Sequence, residues 1–181
     1  MYNVDHVRLL ARYNQWMNEK LYVGCRGLSE ESLQRNREAF FGSIGGTLNH
    51  LLVADVLWLK RFNAHSRGYN SLRAIEAMAN PVALDQIMAP SLPEWRATRM
   101  RLDEMIVNWS EEMVEQDLDV VLEYRSMKDE VRENTLGELV LHFFNHQAHH
   151  RGQITTLLSQ EGVDVGATDL LALMNSERLL R

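Results

Sequence analysis

At 181 residues, 45% of them apolar and 24% charged, the chain is long enough for one domain with a sizeable core and short for two, so residues 1–181 are expected to form a single domain. A net charge of −6 excludes a general affinity for nucleic acid, whose phosphates call for a basic face. No apolar run approaches the roughly 20 residues needed to span a bilayer, Met1–His6 lacks the basic and apolar regions of a secretion signal, and the single cysteine, Cys25, excludes an internal disulfide, so a cytoplasmic location is expected.

The first predicted helix runs from Val4 to Cys25, with Leu9, Tyr13, Trp16, Met17 and Leu21 recurring at spacings of three and four, and Gly24 and Gly27 mark its end. Cys25 reads as a small buried hydrophobe near that end. Ser29–Ser32 reads as a short helical turn or loop. The second long helix is read over Thr47–Phe62, after Gly42, Gly45 and Gly46. Its apolar residues occupy two stripes, which is the pattern of a helix buried between neighbours.

From His65 to Pro93 the pattern weakens, leaving room for a short helix near Ser71–Met78. The third long helix begins around Ser91–Glu94, whose spacing fits a capping box, and ends near Met113. Arg96, Arg99 and Arg101, followed by Asp103, Glu104, Glu111 and Glu112, are expected on a solvated face. Residues 119–124 and 130–132 read as two short strands around a polar turn. Thr135 with Glu138 makes a second capping box for a fourth long helix, which Gly162 stops near Gln160, and a short tail helix follows over Asp169–Leu179. The sum is an all-α chain: a four-helix bundle with a small β-hairpin between the third and fourth helices and a short C-terminal helix.

Four of seven histidines lie in one window of the fourth helix: His142, His146, His149 and His150. With an advance of about 100° per residue, His150 falls about 40° from the centre of the apolar stripe and His146 about 80°. His142 and His149 lie further round, at roughly 120° and 140°, towards the edge or solvent. His146 and His150 are also an i, i+4 pair, with Cβ atoms about 6 Å apart, close enough for two imidazoles to converge on one ion. His50, which shares a stripe with Val53, Ala54 and Leu57, is the histidine placed to supply a third ligand from a facing helix. Neutral imidazoles suit zinc, nickel, copper or iron(II). Three such ligands leave one or two positions open, the pattern of a catalytic site.

The bland alternative is that His-x-x-x-His on a helix is two unrelated surface histidines. His6 and His65 read as surface or helix-end residues. A dinuclear carboxylate site is excluded because Glu138 and His142 are four apart and no second such pair occurs. His142, His149, Asn49 and Tyr124 are candidates for contacts around the site.

The run Asn145-His146-Gln147-Ala148-His149-His150-Arg151-Gly152-Gln153 closely resembles the fourth-helix signature of the DinB-like proteins. Residues 13–18, 47–52 and 168–171 extend the resemblance over nearly the whole chain. It implies a four-helix bundle, often a homodimer, with one metal held by a histidine of the second helix and two of the fourth, here His50, His146 and His150. The wider superfamily includes bacillithiol- and mycothiol-dependent S-transferases and a maleylpyruvate isomerase, alongside members without an assigned activity. The expectation is therefore a metal-dependent enzyme of the thiol S-transferase or hydrolase type. It would use a zinc, nickel or iron ion, and a low-molecular-weight thiol, on a small-molecule substrate. The rival expectation is a non-catalytic metal-binding stress-response bundle.

Overall fold

The computed structural model describes residues 3–179. Met1 and Tyr2, which open the segment read as lacking a leader, lie outside the described residues, as do Leu180 and Arg181. Helix α1 (Val4–Cys25) opens on a reciprocal cap: the Asn3 side chain accepts from the His6 amide and the His6 ring accepts from the Asn3 amide. His6 is thus a helix-end residue, as expected. Cys25, at the other end, is fully buried, and burial pushes its thiol up to about 12.

After a single turn, α2 (Glu30–Gln34), the chain loops back into α3 (Ile44–Asn63). This helix starts before Thr47 because Ser43 Oγ accepts from the Gly46 amide and draws Gly45 and Gly46 into the first turn. A Cβ at Gly46 would overlap the Phe41 carbonyl, so only glycine lets the preceding loop fold this tightly onto the helix.

A 3₁₀ helix (Asn70–Ala77) buries Leu72 and Ile75 where a short helix was expected. Helix α4 (Leu92–Glu112) carries the Ser91–Glu94 capping box. A 3₁₀ turn over Glu115–Asp119 then delays the hairpin, so the strands are β1 (Val121–Arg125) and β2 (Val131–Thr135), with Val121 opposite Thr135 and Arg125 opposite Val131. Helix α5 (Leu136–Gln160) starts on the Thr135–Glu138 box, and α6 (Leu170–Leu179) lies back against α1 through an Arg12–Glu177 ion pair of 3.0 Å. Among the described residues, no helix is long and apolar enough to cross a membrane.

Helix α1 packs on α4 and α5, and α3 on the same two, which is the expected four-helix bundle with its hairpin and tail helix. Phe62 and Trp109 stack at 4.7 Å in its apolar core.

The solvated face expected on α4 is corrected at two positions. Arg99 and Asp103 are buried, Arg99 lying 2.5 Å from Asp55 of α3 and 3.0 Å from Asp103. Asp103 also accepts from Asn14 and Asn18 of α1, Arg151 of α5 donates to Asn14, and Gln147 of α5 donates to Asp55. Arg99, Asp55 and Asp103 leave water because opposite charges from their own or a facing helix meet them, while Arg151 meets the Asn14 amide oxygen. His65, expected at the surface or a helix end, lies just past α3 but is buried against Tyr69 at 5.2 Å.

Candidate metal centre

The facing surfaces of α3 and α5 bring together the three histidines that the sequence singles out. His146 Nε2 lies 3.1 Å from His50 Nε2 and 3.1 Å from His150 Nε2, and all three ligand atoms fall within 4.8 Å of one another. His50 is 3% exposed and His150 8%, whereas His146 is half-buried at the open side of the cluster. His142 and His149 are exposed, as the helical wheel requires.

Neighbours fix how the rings present their nitrogens. A backbone carbonyl can only accept, so His50 Nδ1 carries a proton and donates it to Leu84 O at 2.9 Å. His150 Nδ1 donates in the same way to Gln153 Oε1 at 2.8 Å, while the Gln153 amide nitrogen is 3.2 Å from His149 Nε2. The Nε2 atoms of His50 and His150 are therefore bare lone pairs, aimed at a third imidazole nitrogen. Such an orienting acceptor on the far nitrogen is the usual support of a metal-binding histidine.

The loop that supplies Leu84 O is held by Asn49, whose Oδ1 accepts from the Met88 and Ala89 amides at 2.9 and 2.8 Å and whose Nδ2 donates to Gly45 O and Ala89 O. Asn49, a candidate contact residue, thus acts one step removed from the rings. Phe41 covers the other flank, stacked on His50 at 3.8 Å and 18° and edge-on to His150 at 5.5 Å.

Burial lowers the pKa of all three rings, and the neighbouring histidines add to it for His146, which is driven to about 3. The rings are neutral near pH 7. At most one proton can be shared among three convergent nitrogens, so the donor set is short of positive charge at its centre. Two nitrogens each about 2.0–2.1 Å from a shared zinc ion sit a little over 3 Å apart, and the two spacings from His146, 3.1 Å each, meet that requirement. No carboxylate or thiolate joins this group among the described residues. The cluster is thus compatible with one divalent ion and an open position.

The other two candidates, Tyr124 and His142, lie beside the cluster and not in it. Trp58 is 5.1 Å from His142 and 5.5 Å from Tyr124, and burial together with the nearby Arg61 charge lowers His142 as well. Sequence reasoning missed Leu84, Gln153 and Phe41. Gln153 was within reach, being one turn past His150 on the same face. Leu84 acts through its backbone and Phe41 through a loop, and neither leaves a periodic signal.

The DinB family profile matches residues 1–179. The chain belongs to the DinB family. It is similar to Protein DinB of Bacillus subtilis (strain 168), with 26% identity over 165 residues that cover 91% of each chain. Family membership and the three-histidine geometry agree with the resemblance carried by residues 145–153.

Proposed function

We propose that this protein is a metal-dependent enzyme of the thiol S-transferase or related hydrolase type, with His50, His146 and His150 as the metal ligands. The observation that carries the proposal is the convergence of three neutral imidazole nitrogens with no fourth protein ligand among the described residues. A divalent ion bound there supplies a Lewis acid that favours a thiolate over a thiol, or a hydroxide over water. Zinc, nickel and iron(II) suit an all-imidazole donor set.

The chain's own contributions are orientation and exclusion of water. Leu84 O and Gln153 hold the Nδ1 protons, so that the Nε2 lone pairs stay aimed at the centre. Phe41 shields the His50 side, which leaves the half-buried His146 side, flanked by exposed His142 and His149, as the approach for a small molecule. A homodimer belongs to the same proposal and rests on the family resemblance. The rival, a non-catalytic metal-binding bundle, draws on the Phe41 cover.

Thiol binding separates the two. Cobalt(II)-loaded wild-type protein is titrated with 2-mercaptoethanol and followed by absorbance. A saturable sulfur-to-cobalt charge-transfer band, absent from His146→Ala, is the expected result. A cobalt spectrum indifferent to thiol would remove the transferase reading.

A further inference from the structure

The three histidines are one station in a continuous run of rings along the face shared by α3 and α5. On one side Phe40 packs on Phe41 at 4.9 Å, and Phe41 on His50 at 3.8 Å. On the other side His142 lies 6.0 Å from His146, Trp58 5.1 Å from His142, and Tyr124 5.5 Å from Trp58. Arg61, one turn beyond Trp58 on α3, closes that side, its guanidinium carbon 4.5 Å from the centre of the Trp58 ring and 5.0 Å from that of Tyr124.

Arg61 differs from the other basic groups nearby. Lys60 has Glu76 at 3.8 Å and Arg125 has Asp129 at 3.1 Å. Arg61 donates only to the Arg125 carbonyl, at 2.9 Å, and among the described residues no carboxylate pairs with it. A guanidinium has five N–H donors in a planar fork that matches a carboxylate. Held against two rings, it is already fixed in place, and burial lowers its pKa by removing water that an anion would replace.

We propose that Arg61, framed by Trp58 and Tyr124, binds the carboxylate end of an organic acid whose reacting end lies at the three-histidine centre. The rings of His142 and Trp58 line the distance between and suit an apolar or planar middle segment. The assignment rests on the catalytic reading of the centre and adds a substrate class to it: small molecules with a carboxylate at one end and a thiol or electrophile at the other.

The test uses zinc-loaded wild-type protein and Arg61→Gln, titrated by calorimetry with ω-mercaptocarboxylates of increasing chain length and with their methyl esters. At the chain length that spans the run, the acid is expected to bind wild type about tenfold more tightly than its ester, the worth of one hydrogen bond to a charged group. Arg61→Gln should lose that preference while keeping its zinc. Equal affinity for acid and ester at every length, or a preference that survives in Arg61→Gln, overturns the assignment. Should the protein take up no metal, the catalytic reading fails by that measurement alone. The anchor is then read on metal-free protein with ω-phenylalkanoates and their esters, through quenching of tryptophan fluorescence. There too, an acid preference lost in Arg61→Gln supports Arg61, and its absence or survival refutes it.

Discussion

Of the three nitrogens that face one another, that of His146 is the least tied down, because Leu84 O and Gln153 fix the rings of His50 and His150. It is also the ring whose proton affinity burial and its neighbours lower most, from an ordinary 6.5 to about 3. On unfolding, that imidazole regains its ordinary affinity, so between these two values the unfolded chain binds more protons than the folded one. Stability must then fall as pH falls through that window. The buried carboxyl of Asp55, pushed up to about 6 by loss of hydration, acts in the opposite sense. The clean comparison is therefore a difference between metal-free wild type and His146→Asn, in which the Asp55 contribution cancels. Urea unfolding from pH 7 to pH 4 should show wild type losing stability relative to the variant as the pH drops. A difference that stays flat would mean that His146 is not held neutral by its surroundings.

At the scale of the elements, the buried layer of Asp55, Arg99, Asp103, Asn14, Asn18, Gln147 and Arg151 draws on all four long helices. Gln147 and Arg151 each follow a candidate ligand, His146 and His150, by one residue. Pinning them on the core side fixes the rotation of α5 and so aims the two histidines at His50. Removing one partner leaves buried charge uncompensated. Arg99→Ala is thus predicted to cost about 3–5 kcal/mol in urea denaturation, and a loss below about 1 kcal/mol, the worth of a surface ion pair, would deny the layer its role.

The long helices were legible because their signals are local: apolar periodicity, the Ser91–Glu94 and Thr135–Glu138 boxes, and Gly162 at a φ of 74°. The fate of Arg99 and Asp103 was not, because a charge at i and i+4 reads the same whether it meets water or Asp55. The candidate site was legible in its three rings and not in their supports. Spacing placed His146 and His150, and an apolar helix placed His50. Leu84 and Phe41 reach the rings from loops whose path only the tertiary fold decides.

For the molecule as a whole, the bundle sets three neutral donors between two long helices, closes one flank with Phe41 and leaves the other open beside a run of rings that ends at Arg61. The DinB profile spans residues 1–179, so the family match covers the segments that carry these residues. Any metal chemistry here requires those three histidines to hold an ion. Elemental analysis of untagged wild type and His146→Ala, purified without nickel columns and checked for folding by circular dichroism, tests it most directly. Close to one zinc, iron or nickel per wild-type chain, and almost none in the variant, is expected. Wild-type protein that purifies metal-free and binds no added zinc, iron or nickel would contradict it.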